Sequence, residues 1–488
     1  MRIGFINPPF KAAYGRFSRE SRSPAIAKSG TLYYPLWLIY AAAYAGTHGH
    51  EVFFLDAPAQ QLDEAQSLNI IREQAPCPAL FVLDTSTPSI KSDARFGAAL
   101  KEICPGAFVI LVGTHPSACP EETLLLERGI DAVARGEYDL TITELAEALE
   151  TGAGPGSARG ITWRDARTGE IQTNQAMPYL EDLDRLPFAA EFIQNHLNVH
   201  DYFFSAATYP AIQLFSGRGC PFRCDFCVYP QTMHGHTYRT RSPENVAGEM
   251  QYIAEHFPDV KEVVIEDDTF TSNTPRVLQI CALLVEKGLH KRLQWLCNAR
   301  VDLDLATMRA MKQAGCRLII PGIESGSQKI LDNIRKGTTT GQFVPFVRNA
   351  RKAGLLVHAC YMVGNRGETE ETLEETLELA LALNTDTAQF FPLIPYPGTE
   401  AYRWAKENGY IQGDYEGYCT GEGGHNAVLD LPGLPASRLL DFCNSARKRY
   451  YLRPGYWLHR IRTGLASSDD FRRALKAFWR FKRYLFAK

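Results

Sequence analysis

No apolar run in this 488-residue chain approaches the roughly 18 residues that a membrane span needs; the longest stretch, Leu36 to Ala45, stops far short. A basic n-region and a small-residue cleavage site are also missing, and Met1 to Pro9 reads directly as a strand and a turn. The first 150 residues hold neither G-x-G-x-x-G nor a Walker loop, which argues against a dinucleotide or nucleoside triphosphate there. Net charge is nearly absent too: −3 overall, which argues against nucleic acid as a partner. These gaps set the expectation of a cytoplasmic protein with reduced thiols. What remains, 45% hydrophobic and 22% charged residues, is ordinary globular composition.

The small net charge hides a segregation. Asn444 to Lys488 carries 13 Lys or Arg against 2 Asp or Glu, so the rest of the chain is acidic, with a net charge of −14. In the last helix pattern, Asp470 to Phe486, Phe471, Leu475, Phe478 and Leu485 project to one face. Arg472, Arg473, Lys476, Arg480 and Arg483 project to another. A basic, aromatic, amphipathic helix is a membrane-surface pattern, so peripheral association with an inner membrane face is expected of the tail. A helix docked on the body with a solvated basic face is the bland alternative.

Strand and helix patterns alternate from the start. Strand-like runs at Arg2–Asn7, Glu51–Asp56, Ala79–Leu83, Phe108–Val112 and Asp131–Ala134 are separated by helical patterns, which predicts a doubly wound parallel sheet over 1–150. Residues 151–208 read as a linker segment, Gly/Ser/Pro-rich at its start, with a hairpin near Asp165–Gly169. Six further strand patterns, Ala211–Ser216, Glu262–Glu266, Gln294–Asn298, Arg317–Pro321, Leu356–Val363 and Thr387–Pro392, predict a partial (β/α)6 barrel over 209–410. Residues 411–488 form a helical C-terminal extension. Ligands of such α/β folds bind at the carboxyl ends of the strands.

One cysteine cluster stands out: Cys220, Cys224 and Cys227, spaced C-x3-C-x2-C directly after the first barrel strand. Three thiols this close in a reduced compartment point to a metal centre. Zinc needs a fourth ligand, for which His234 and His236 are nearest. A [4Fe–4S] cluster held by three cysteines keeps one iron open. The other nine cysteines, Cys77 and Cys104 among them, read as small core or loop residues.

C-x3-C-x-aromatic-C, with Phe226 as the aromatic, resembles the radical S-adenosylmethionine (SAM) superfamily. The resemblance implies a [4Fe–4S] cluster on Cys220, Cys224 and Cys227, and reductive cleavage of SAM to a 5′-deoxyadenosyl radical. It implies SAM contacts from Phe226, Asp267, Asp268, Arg300, Glu324 and Ser325 at strand ends. A flavodoxin-like domain ahead of the barrel resembles the cobalamin-binding-domain branch of that superfamily. There Thr85, Ser86, Thr87, Gly113, Thr114, His115, Gly136 and Glu137 are the implied corrin contacts. The D-x-H-x-x-G motif of other corrinoid domains is replaced by Asn7-Pro8-Pro9-Phe10-Lys11-Ala12, so either cobalamin binds without a histidine from that motif or the domain has lost the cofactor, with His115 on a carboxyl-end loop as the alternative imidazole. Methylthiotransferases share this two-domain plan, but their second cysteine triplet is missing here.

Cys227 to Ser242, together with Asp84 to Ser89, is similar to hopanoid-biosynthesis-associated radical SAM proteins. That implies rearrangement or cyclisation on a lipid-linked substrate, with a flavodoxin or ferredoxin as electron donor. Cobalamin-dependent C-methylation is the alternative, and a non-catalytic corrinoid or metal-binding protein a second. No residue is singled out by the sequence as catalytic.

Overall fold

The computed structural model describes residues 1–11, 15–27 and 29–458. Seven strands form the first sheet, in the order β2-β1-β3-β4-β5-β6-β7. They are β1 (Arg2–Asn7), β2 (Glu51–Asp56), β3 (Leu80–Thr85), β4 (Phe108–Gly113), β5 (Ala132–Ala134), β6 (Ile161–Arg164) and β7 (Ile171–Thr173). The first five are parallel, as their continuous apolar runs predict for strands buried on both faces. Helix Leu36–Thr47 is buried almost along its whole length, so its apolar run is a core helix.

The hairpin predicted inside 151–208 is β6–β7, and it continues the first sheet: β6 pairs antiparallel with β5. It thereby covers the edge that the short β5 would otherwise present unpaired. The disposition of two cysteines also differs from the expectation. Cys77 and Cys104 form a disulfide, because the loop before β3 and the end of helix Ile90–Ile103 meet at the sheet's amino end.

The second sheet holds six parallel strands in the order β15-β14-β13-β12-β11-β8, with no pairing between β8 and β15. They are β8 (Ala211–Leu214), β11 (Glu262–Ile265), β12 (Gln294–Ala299), β13 (Cys316–Glu324), β14 (Leu356–Val363) and β15 (Thr387–Pro392). A two-stranded clip, β9 (Gly217–Arg218) with β10 (Arg239–Thr240), closes the long loop after β8. One apolar core runs through both halves, joining Trp37, Tyr138 and Ile161 to Val263, Tyr361 and Phe390.

Among the described residues no helix is long and apolar enough to cross a membrane. The amphipathic pattern of Asp470 to Phe486 lies outside the described residues.

Candidate functional site

The clip formed by β9 and β10 pinches residues 219–238 into a loop that presents the three thiols. Gly219 takes φ +92°, and a Cβ there would run into the Thr237 carbonyl, so only glycine admits this crossing. The loop is fastened through its backbone. Gln231 Nε2 donates to the carbonyls of Cys224 (3.3 Å), Asp225 (3.1 Å) and Cys227 (2.9 Å). The Asp225 amide donates to the Ile334 carbonyl at 3.1 Å.

Each of the two histidines weighed as zinc ligands has one ring nitrogen engaged. His236 Nδ1 lies 3.2 Å from the Cys220 carbonyl and 3.0 Å from that of Phe222, and His234 Nε2 lies 2.7 Å from Asp268 Oδ2. Nothing in the geometry of the described residues seats either histidine on the thiols, and by donor type three cysteines suit a [4Fe–4S] cluster.

Burial pushes the Cys220 thiol up to about 12 and raises Cys224 and Cys227 as well. A thiolate ligand set therefore needs the positive charge of the metal that it binds.

A cavity of about 350 Å³ opens from the thiols into the barrel. Cys220, Cys224, Cys227, Phe226, Asp268, Arg300 and Glu324 all line it. Two other residues assigned to SAM do not. Asp267 is 1% exposed and accepts from the Ser216 amide (2.7 Å), the Ser216 hydroxyl (2.6 Å) and the Tyr238 hydroxyl (2.7 Å); it ties β8 to β11. Ser325 is fully buried, 3.1 Å from the Thr376 hydroxyl, and accepts from the Ser327 amide. Of the adjacent Asp267 and Asp268, then, one is scaffold and one faces the cavity.

Asp268 has partners that sequence reasoning missed. Arg22 sits 3.1 Å from its Oδ1 and 3.6 Å from Glu266. Burial alone would raise the Asp268 carboxyl, but His234 and Arg22 outweigh it and hold it near about 2. Arg22 belongs to the long segment between β1 and helix Leu36–Thr47, which threads between the first sheet and the cavity. In the same segment Arg19 pairs with Asp93 at 2.6 Å with both side chains fully enclosed. Glu20 accepts from the amides of Trp37 (2.9 Å) and Leu38 (3.2 Å), capping that helix. No sequence motif marks these residues, because their partners come from distant parts of the chain.

The implied corrin contacts lie together at the carboxyl end of the first sheet, and most are buried. Thr85 donates to the Val112 carbonyl (2.7 Å), the Ser86 and Ser89 hydroxyls lie 2.9 Å apart, and Thr87 lies 3.2 Å from His115 Nδ1. Gly113 takes φ +118° with the Thr85 carbonyl against it. Gly136 donates its amide to the Ser117 hydroxyl, Thr114 opens a short helix, and Glu137 pairs with Arg218 and Arg239. His115 Nε2 is buried with no hydrogen-bond partner. An unpartnered imidazole nitrogen beside a row of hydroxyls suits a corrinoid by donor type. Tyr415, edge-on to His115 at 4.7 Å, and the segment Pro230–His234 cover this sheet end.

Burial lowers His115 to about 3, against about 6.5 in an unfolded chain. The folded state thus takes up its proton only near pH 3, while the unfolded state takes one up below about 6.5. Stability from this group is complete above about 6.5 and is lost as pH falls toward 3, by up to about 1.4 kcal/mol per unit. Urea midpoints of His115→Gln should fall less steeply between pH 6.5 and 4 than those of the unsubstituted protein; parallel slopes would refute the assignment.

Comparison with known proteins gives a consistent picture. Residues 214–380 match the Radical SAM superfamily, and residues 22–146 match the B12 binding domain. The chain is 30% identical over 457 residues, 93% of each chain, to an uncharacterized methyltransferase of Pyrococcus horikoshii. It is 26% identical over 465 residues to the anaerobic magnesium-protoporphyrin IX monomethyl ester cyclase of Rubrivivax gelatinosus, covering 93% of this chain and 78% of that one. The fold matches the cobalamin-dependent SAM radical enzyme OxsB, solved with aqua-cobalamin and SAM, at TM-score 0.71 and 15% identity. That match covers 98% of this chain and 72% of that one.

Proposed function

We propose, for a chain that belongs to the radical SAM superfamily and within it to the group built with an N-terminal B12-binding domain, a radical rearrangement or cyclisation of an amphiphilic, hopanoid-like, lipid-linked substrate. Membership makes it a radical SAM enzyme, with a [4Fe–4S] cluster, SAM and cobalamin as the cofactors of its domains. Cys220, Cys224 and Cys227 would hold the cluster, which when bound would supply the electron for reductive cleavage of SAM.

The cavity carries the substrate proposal. Ile320, Met362, Phe391 and Ile394 make an apolar wall, while Ser21, Ser23, Ser29, Thr31 and Ser205 bring hydroxyls. Apolar side chains and neutral hydroxyls in one lining, beside the charged groups named above, suit an amphiphile with a polar head. The basic tail supports the same reading by its charge, since each Lys or Arg near an anionic leaflet contributes about 1 kcal/mol. Sedimentation of the full chain with anionic vesicles tests that part.

C-methylation is the second reading, favoured by the relative named a methyltransferase, while the relative named a cyclase favours the first. The anaerobically reconstituted enzyme, given a reductant, SAM labelled in its methyl group and a lipid extract, separates the two. Rearrangement predicts 5′-deoxyadenosine formed with the product and no label in the lipid. Label transferred to the lipid would sink rearrangement and establish methylation.

A further inference from the structure

A fourth free cysteine lines the cavity beside the triplet: Cys360, on β14. The strand's alternation puts it there. His358, Cys360 and Met362 all reach the lining, while Ala359, Tyr361 and Val363 between them are buried on the other face. Cys360 is therefore only half-buried, whereas Cys281, Cys297, Cys316, Cys419 and Cys443 are enclosed. Its partner on β13 is Gly322, which has no side chain to cover the sulfur. A Cβ on Gly322 would strike Glu324 Oε1 and Lys336 Nζ, themselves 2.7 Å apart, so this stretch of wall admits only a glycine.

Two roles suit a cysteine in this place: a further metal ligand, or a source of hydrogen. The charges that act on its sulfur are those of Glu324, Lys336 and Arg22, with none of the triplet thiols among them, which separates it from the metal loop. Burial, helped by Glu324, pushes the thiol up to about 12 against Lys336 and Arg22, so at neutral pH the sulfur carries its proton. An S–H hydrogen is weakly held and passes readily to a carbon-centred radical. The same cavity is prepared for a polar ligand. The Thr269 hydroxyl lines it without a hydrogen-bond partner, in a residue only 7% exposed. Phenols are the other weakly held hydrogens of the lining. The Tyr229 hydroxyl donates to the Glu20 carbonyl at 2.8 Å, and that of Tyr396 lies 3.2 Å from the Ser23 hydroxyl. Tyr33 is thus the rival, and a phenol passes hydrogen to carbon radicals more slowly than a thiol does.

We propose that Cys360 is the hydrogen-atom donor that ends the reaction, returning hydrogen to the rearranged substrate radical. The inference rests on the rearrangement reading and assigns it a residue. In this step the S–H bond breaks, a C–H bond forms on the lipid, and the sulfur is left as a thiyl radical. One electron from a reduced flavin or iron–sulfur protein, with one proton from solvent, restores the thiol. A turnover then consumes two electrons and one proton, one electron in cleaving SAM and one at the sulfur. It yields methionine, 5′-deoxyadenosine and an isomer of the lipid.

The test is turnover of the anaerobically reconstituted full chain in heavy water, where thiol hydrogens exchange, with dithionite, methyl-labelled SAM and the same lipid extract. After back-exchange in ordinary water, the product lipid should keep a single deuterium, bound to carbon. Cys360→Ala and Cys360→Ser should lower the lipid product about tenfold or more yet still form 5′-deoxyadenosine, because abstraction from the substrate precedes the thiol's step. Iron and sulfide content and circular dichroism identify variants with cluster and fold intact. A Cys360→Ala protein that makes the deuterated product at the normal rate would overturn the proposal. So would a product free of carbon-bound deuterium from the unsubstituted protein, since the hydrogen would then come from a site closed to solvent exchange. Deuterium kept in Cys360→Ala and lost in Tyr33→Phe would move the role to that phenol. Methyl label in the lipid would instead sink the rearrangement reading, and absence of 5′-deoxyadenosine from the unsubstituted protein would sink the radical SAM reading.

Discussion

Replacing Arg218 with methionine should destabilise the protein by about 3–5 kcal/mol, the loss expected when one member of a buried ion pair is removed. Arg218 lies two residues before the first cysteine of the triplet, and its guanidinium is almost wholly enclosed. It bonds to Asp139 at 2.6 and 3.0 Å, reaches Glu137 at 3.4 Å, and stacks 4.3 Å from the centre of the Trp37 ring. Asp139 begins a helix of the first domain, whereas Arg218 belongs to the clip that closes the thiol loop. Methionine fills much of the same volume but leaves Asp139 a buried, unpaired carboxylate. Glu137 keeps Arg239, so the damage centres on Asp139. Adding Asp139→Asn should recover part of the loss, because the stranded charge is then gone. Denaturant titration reads both variants; a loss below about 1 kcal/mol for Arg218→Met would mean that the pair contributes no more than a surface bridge.

The largest functional effect is expected at the thiols. Cys224→Ala should remove the visible absorption of the reconstituted cluster and lower SAM cleavage by on the order of a thousandfold or more. The triple variant Cys220→Ala, Cys224→Ala, Cys227→Ala should be no worse, because the three act as one unit. The fold should survive, since the loop is held by its backbone through Gln231 and His236 rather than by its sulfurs. Circular dichroism separates loss of cluster from loss of fold. A single variant that still assembles the cluster and cleaves SAM would place the cluster on other ligands.

Much of this molecule is readable from local pattern. Strands β1, β2, β14 and β15 match their sequence-predicted bounds, because each is a largely apolar run punctuated by turn residues. The cysteine triplet is equally local: three thiols within eight positions on one loop. The short turn residues at the carboxyl end of the first sheet were also legible, since the topology places them there.

The division of labour among the charged residues was not legible. Asp267 and Asp268 are neighbours in an identical local pattern, yet one is bonded into β8 and the other meets Arg22, 246 positions earlier. Lys336 carries no motif; its pairing with Glu324 depends on a bulge at Glu324 and a glycine opposite. Cys77 and Cys104 look like two unrelated core residues until the sheet brings their loops together.

By itself, then, the sequence determined the two-sheet architecture, the spacing of the cysteine triplet and the separation of an acidic body from a basic tail. Each of these follows from periodicity, spacing or composition over a short window. Only the tertiary structure decided which carboxylates face the cavity, which cation stands beside the thiols, and how the segment before helix Leu36–Thr47 is buried. The physical reason is that a buried charge is defined by the partner that neutralises it, and here those partners lie far away along the chain.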